Sequence, residues 1–192
     1  MSRSVKAHGQ LRIIGGQWRG RKLRFPEVEG LRPTTDRVRE TLFNWLTPEV
    51  HGARCLDLFS GSGALGLEAL SRGAASCDFV DSSPRVMQQI DAHLRALCAT
   101  GRGHCHQTTA SSFLRDNPGP WDIVFIDPPF GKGLVTPCCN TLQLSGALSP
   151  GAMVYIETSL DEPSAVVPAN WQAHREKQAG SVRYQLFSVH AG

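Results

Sequence analysis

Asp127, Pro128, Pro129 and Phe130 close the apolar run from Ile123 to Ile126. Such a run reads as a buried strand. Neither proline can donate a ladder hydrogen bond, so the sheet must end there. Pro129 also pushes Pro128 toward an extended conformation. The predicted result is a stiff segment presenting a carboxylate (Asp127), a carbonyl acceptor (Pro128) and a ring face (Phe130). Together these match a planar base bearing an exocyclic amino group: two acceptors hold its hydrogens and the ring stacks on the base. The amino lone pair can then be aimed at an electrophilic methyl group. In-line orientation can supply about 7–11 kcal/mol of barrier lowering in favourable cases, and Asp127 would stabilise the positive charge appearing on nitrogen. This chemistry needs neither a metal nor a strong base. The plainer alternative is a proline-terminated strand with a buried phenylalanine.

A second constellation lies upstream. "LDLFSGSGALGLEAL" contains G-x-G-x-x-G at Gly61, Gly63 and Gly66, and Asp81 follows Gly61 by twenty residues. A glycine turn lets a ligand approach the backbone and a helix N-terminus. An acid at the end of the next strand can hold both hydroxyls of a ribose. Asp57 stands before the glycines, where a carboxylate suits a cationic ligand and repels a pyrophosphate. S-adenosylmethionine, with its sulfonium and ammonium groups, therefore fits better than NAD. The competing role for Asp57 is a loop-fixing or helix-capping acid.

Regular elements must position these groups, and the pattern supplies them. "RCLDLF", "SCDFVD", "HCHQTT", "DIVFID" and "AMVYIE" read as strands. Helices fall between them: "GALGLEALSRGA", a segment opened by Ser83 and Pro84 with Val86, Ile90, Leu94 and Leu97 on one face, a short helix near 111–115, and one around 137–146. This alternation predicts a right-handed, doubly wound parallel sheet. The tail "WQAHREKQAGSVRYQLFSV" predicts a hairpin turning at Ala179-Gly180, with Val182, Tyr184 and Leu186 on one face. Before the alternation, "TTDRVRETLFNWL" predicts a helix capped by Thr34 or Thr35, with Val38, Leu42, Trp45 and Leu46 buried and with Arg37 and Arg39 projecting elsewhere. "LRIIGGQWRGRKLRF" predicts two short strands around Gly15-Gly16.

Charge is distributed unevenly. Residues 1–39 hold ten Lys/Arg (Arg3, Lys6, Arg12, Arg19, Arg21, Lys22, Arg24, Arg32, Arg37, Arg39) and three acids (Glu27, Glu29, Asp36), a net of +7, while the remainder is −4. A basic arm on a mildly acidic body predicts a polyanion partner. Trp18 and Phe25 among the cations favour a folded hairpin over a solvated tail. We divide the chain into a basic extension, 1–31, and one α/β domain, 32–192. The six cysteines lack zinc spacing and read as reduced structural thiols, so no metal is expected. With no long apolar run and no secretory signal in "MSRSVKAHGQ", a cytoplasmic protein with no membrane partner is expected.

"RPTTDRVRETLFNWL", "LDLFSGSGALGLEALSRGA" and "DIVFIDPPF", in that order, resemble the RsmD family of bacterial 16S rRNA guanine-N2 methyltransferases, and the likeness covers nearly the whole chain. The resemblance implies a class I S-adenosylmethionine-dependent methyltransferase fold, Rossmann-like, with strand order 3-2-1-4-5-7-6 and an antiparallel terminal strand. It implies S-adenosylmethionine as donor and one guanine of 16S rRNA, in an assembled or partly assembled small subunit, as acceptor. A monomer is expected. Carried over by position, Asp57, Gly61 and Gly63 would serve the methionine end, Asp81 with Ser82 the ribose, and Thr109 with Ala110 the adenine. Asp127, Pro128 and Phe130 would hold the guanine, and Arg19, Arg21, Lys22, Arg24, Arg37 and Arg39 would contact RNA. Ser83 and Thr109 stand where relatives often carry an acid or an amide. A DNA adenine-N6 methyltransferase would share both motifs but needs extra sequence for DNA recognition. An NAD-dependent oxidoreductase would need a hydride-transfer partner residue. A non-catalytic RNA-binding assembly factor would have no use for an intact cofactor loop.

Overall fold

The computed structural model describes residues 8–26, 35–117 and 119–190; Arg3, Lys6, Glu27, Glu29, Arg32 and Thr34 lie outside the described residues. A short antiparallel hairpin, β1 (His8–Arg12) and β2 (Lys22–Pro26), precedes the main sheet. That sheet contains β3 (Arg54–Asp57), β4 (Ser76–Asp81), β5 (Gly103–Gln107), β6 (Trp121–Ile126), β7 (Leu148–Ser159), β8 (Trp171–Ala179) and β9 (Val182–Val189). Their order is β5-β4-β3-β6-β7-β9-β8. Counted from β3, this is the expected 3-2-1-4-5-7-6. β3 to β7 run parallel, and β9 runs antiparallel to both β7 and β8.

The sheet is covered on both faces. α1 (Asp36–Trp45), α2 (Ala64–Ser71) and α3 (Pro84–Ala96) pack with Cys55, Phe79, Phe125 and Tyr155. α4 (Ala110–Asp116) and α5 (Val135–Leu144) pack with Leu56, Val80, Val124 and Val154. Successive residues of one strand feed opposite cores, which is why the central strands are apolar without alternation. Val86, Ile90, Leu94 and Leu97 all lie buried along α3, as their spacing predicts.

α1 departs from expectation in one respect. Thr35 caps it by accepting the Val38 N–H at 3.3 Å, and Val38, Leu42 and Leu46 are buried. Full burial of one leucine such as Leu42 contributes about 1.5–3 kcal/mol. Trp45 is half-buried and stacks on Tyr184, with ring centroids 5.6 Å apart. Arg39, however, does not project to solvent. It is 1% exposed, bonds Asp36 Oδ1 at 2.6 Å and the Arg12 carbonyl at 2.9 Å, and lies 3.6 Å from Glu68. The buried Glu68 carboxylate draws it inward.

The hairpin packs on the same core, through Leu11, Ile13, Leu23 and Phe25. Between its strands a 3-10 turn, Gly16–Trp18, rides over the end of α2. A Cβ at Gly16 would stand 1.9 Å from the Ser71 carbonyl oxygen, and φ there is +74°, so only glycine permits this approach.

Candidate active site

The glycine loop occupies the carboxyl ends of β3 and β4. Gly63 N-caps α2, so the loop leads straight into a helix N-terminus. The third glycine has a packing role: a Cβ at Gly66 would stand 2.3 Å from the Phe79 ring. Removing that Cβ lets α2 lie close on β4. The loop is stitched down by the Ser60 N–H to the Val80 carbonyl at 2.9 Å and the Gly63 N–H to the Ser60 carbonyl at 2.7 Å.

Two acids meet beneath this loop. Asp57 is 2% exposed and its Oδ2 accepts the Gly66 N–H at 3.0 Å. Burial pushes its carboxyl up to about 7, opposed by the Gly66 bond and aided by the charge of Asp81. The loop-fixing role is therefore present, and it leaves a carboxylate whose ionisation a nearby cation would favour. Asp81, at the end of β4, accepts the Gly61 N–H on Oδ2 at 3.2 Å and the Ser83 N–H on Oδ1 at 2.8 Å. Its carboxylate is thus held at the loop's edge, where ribose hydroxyls can share it.

Ser82 is exposed beside Asp81. Ser83 N-caps α3 and Thr109 N-caps α4, accepting the Val86 and Ser112 N–H groups at 3.4 and 3.3 Å. Both side chains are used locally, which explains a hydroxyl at these positions. Ala110 begins α4 next to Thr109 and is half-buried.

The second motif lies one strand away. Asp57 pairs in register with Phe125, and the Leu58 N–H bonds the Phe125 carbonyl at 3.1 Å. Asp127 therefore stands two residues past the register partner of Asp57, on a neighbouring strand about 4.8 Å distant. Asp127 is half-buried, Pro128 is buried, and Phe130 is 36% exposed. Pro128, Pro129 and Phe130 line a cavity of about 280 Å³, closed on its far side by the β7–β8 connection. Glu162 of that connection accepts the Gly131 N–H, tethering it to the segment after β6.

Arg19, Arg21, Lys22, Arg24 and Arg37 are exposed. The Arg21 guanidinium bonds the Ala96 carbonyl at 3.3 Å, at the end of α3. Arg39, grouped with these cations on sequence, is committed to internal bonds instead. Sequence reasoning also passed over Glu68, whose signal was a lone acid inside the otherwise apolar "GALGLEAL". Glu68 is fully buried; Ile14 and Gly15 donate their N–H groups to it at 2.9 and 2.8 Å, and Arg72 bonds it at 2.8 Å.

The sheet order, the glycine loop after its first strand and the Asp-Pro-Pro-Phe edge on the adjoining strand define a class I methyltransferase. Comparison with known proteins narrows this. The family model described as Conserved hypothetical protein 95 matches residues 11–188. Ribosomal RNA small subunit methyltransferase D of Escherichia coli (strain K12) is 52% identical over 183 residues, covering 95% of this chain and 92% of that protein. The solved structure of yhhF from Escherichia coli superposes with a TM-score of 0.89 at 49% identity, over 96% of this chain and 100% of that one. An RNA methyltransferase from Salinibacter ruber, solved in complex with S-adenosyl-L-homocysteine, shares the fold alone: TM-score 0.65, 13% identity, 84% of this chain and 95% of that one. The chain belongs to the ribosomal RNA small subunit methyltransferase D family and is a methyltransferase.

Proposed function

We propose that this protein moves a methyl group from S-adenosylmethionine to the exocyclic N2 amino group of one guanine in 16S rRNA, presented by an assembled or partly assembled small ribosomal subunit. The observation that carries the reading is the register of Asp57 with Phe125, which sets the glycine loop and Asp127 on adjoining strand ends. Donor and acceptor sites are then one strand apart, and orientation can do most of the catalytic work.

When bound, the donor supplies an electrophilic methyl on a sulfonium. The chain's own groups do the rest. Asp57 faces the cationic end, Gly61 and Gly63 let the backbone come close, and Asp81 with Ser82 holds the ribose. Thr109 and the Ala110 backbone border the adenine. Asp127 and the Pro128 carbonyl accept the hydrogens of N2 and turn its lone pair toward the methyl. The Asp127 carboxylate then stabilises the cation formed at nitrogen and can take its proton. Phe130 stacks on the base. Arg19, Arg21, Lys22, Arg24 and Arg37 bind phosphates through the hairpin and α1. Residues 1–31 act as the RNA-binding extension and 32–192 as the methyltransferase domain.

Mass spectrometry of small subunits lacking the modification tests this. Incubation with protein and donor is expected to put a methyl group in place of a hydrogen, with the corresponding gain in mass, on a single guanine, at N2. Methylation of adenine, or of no nucleotide, would overturn the reading.

A further inference from the structure

β2 and α3 lie side by side, and their contacts fix how they run. The Arg21 guanidinium bonds the carbonyl of Ala96, the last residue of α3, at 3.3 Å. The Arg24 carbonyl stands 3.0 Å from His93 Nε2, almost one turn earlier in the helix. The Gln89 side chain, one turn earlier again, lies 2.9 Å from the same nitrogen. β2 therefore runs back along α3, from the C-terminal end of the helix toward its N-terminal end. That N-terminal end follows β4 directly, so it lies at the carboxyl edge of the sheet beside Asp81 and the glycine loop.

The outer side of this seam is basic. Leu23 and Phe25 of β2 turn into the core, while Arg21, Lys22 and Arg24 are exposed. On α3, Arg85, Gln89, Ala92 and Ala96 follow one another at i, i+4, i+7 and i+11, which places them on one helix face. Arg85, Ala92 and Ala96 are exposed and Gln89 is half-buried. That stripe carries no acid. The one acid of α3, Asp91, lies off it and is paired with Arg95. Arg85 does not help the helix that carries it: it stands in the first turn, where a cation opposes the macrodipole, and that turn holds no acid.

We propose that a single strand of the RNA substrate lies along the seam of β2 and α3, its phosphates held by Arg21, Lys22 and Arg24 and then by Arg85, and is led in this way from the hairpin to the donor edge of the sheet. The inference rests on the RNA reading above and carries it from the hairpin onto α3. Arg85 to Ala96 spans about 16 Å of helix. Cations flank that length and alanines lie between them, so a sugar-phosphate backbone can approach the helix closely while its bases point elsewhere. Such contacts fix the register of the strand and leave the choice of base to the site itself. A single strand suits the task, because the reacting base must stand clear of its stack.

Filter binding of small subunits lacking the modification, across a salt series, reads these contacts. Arg85→Gln should lower the slope of log K against log salt by about 0.7–0.9, with donor affinity unchanged by calorimetric titration. Arg85→Lys should keep the parent slope, because it keeps the charge. Arg115→Gln removes another exposed cation, from α4 on the opposite face of the sheet, and should also keep the parent slope. An unchanged slope in Arg85→Gln overturns the proposal. So does an equal fall in Arg115→Gln, which would reduce the effect to net charge. A benzophenone amino acid placed at Ala92 identifies the occupant of the seam. Cross-linking to 16S rRNA is expected; cross-linking to a ribosomal protein alone, or to nothing, overturns the proposal. Wild-type binding with no salt dependence at all would defeat the RNA reading itself, which is a separate failure.

Discussion

Glu68 accepts the backbone N–H of Gly15 at 2.8 Å, so a fully buried carboxylate ties the turn of the basic hairpin to the helix behind the glycine loop. The same carboxylate faces Arg39 and Arg72. Ser71, three residues on, accepts the Trp18 N–H at 3.0 Å and donates to the Gly15 carbonyl at 2.6 Å. α2 therefore carries the glycine loop at one end and the hairpin at the other.

Glu68→Ala should destabilise the fold strongly, because it removes the buried anion that faces Arg39 and Arg72 and leaves the Ile14 and Gly15 N–H groups without their acceptor. Breaking a buried ion pair from one side costs about 3–5 kcal/mol. Urea unfolding followed by far-UV circular dichroism measures it. A change within the roughly ±0.5 kcal/mol of ordinary surface substitutions would mean that the cluster does not hold the hairpin.

This cluster marks the limit of what the sequence disclosed. The doubly wound parallel sheet followed from alternation and connection rules, because the central strands have apolar runs of strand length and helices with readable caps, whereas the order of its strands came only with the family resemblance. The two motifs were legible because glycine and proline change the backbone at fixed positions whatever surrounds them. Arg39 was misread because charge normally seeks water, and only the fold brings Glu68, 29 positions away on another helix, beside it. Glu157 was passed over for a related reason: Tyr155 is its i, i+2 neighbour on β7, but its nearness to Asp127 depends on strand register, which one-dimensional spacing does not contain.

Donor binding should depend on pH through Asp57. Burial pushes its carboxyl up to about 7, from an ordinary 3.8, so the free protein carries it protonated below neutrality. A cationic ligand favours the ionised form and must expel that proton. Affinity should be level above pH 7 and fall below it, by up to about tenfold per pH unit. In the ligand-free protein the raised value acts the other way: the stability this group contributes is present below 3.8 and lost as pH rises through 7. Asp57→Asn should flatten both dependences. Calorimetric titration at pH 6 and pH 8 checks the first; equal affinities for wild type would remove Asp57 from the donor site.

Arg19, Arg21 and Lys22 lie exposed on the hairpin. Neutralising all three should weaken binding to small subunits and flatten its salt dependence, with donor affinity unchanged. Each lost phosphate contact lowers the slope of log K against log salt by about 0.7–0.9. Filter binding across a salt series gives the slope. If the triple variant keeps the parent slope, the hairpin does not contact RNA.

Asp127 lies past the strand that adjoins the glycine loop, and its proposed work is on the acceptor amine rather than the donor. Asp127→Ala should therefore remove most methyl transfer and leave donor binding intact. The loss of one electrostatic contact to developing charge typically costs about 10²–10³ in rate. Phe130→Ala should act mainly through acceptor binding, by about 1–3 kcal/mol of lost stacking, whereas Phe130→Tyr keeps the ring face and should keep most activity. Single-turnover methylation of unmodified small subunits, with donor titration in parallel, separates these effects. Turnover by Asp127→Ala close to that of wild type would sink the proposed chemistry. Loss of donor binding together with turnover would move Asp127 to the donor site, and the pairing of the two motifs across β3 and β6 would then need a different acceptor group.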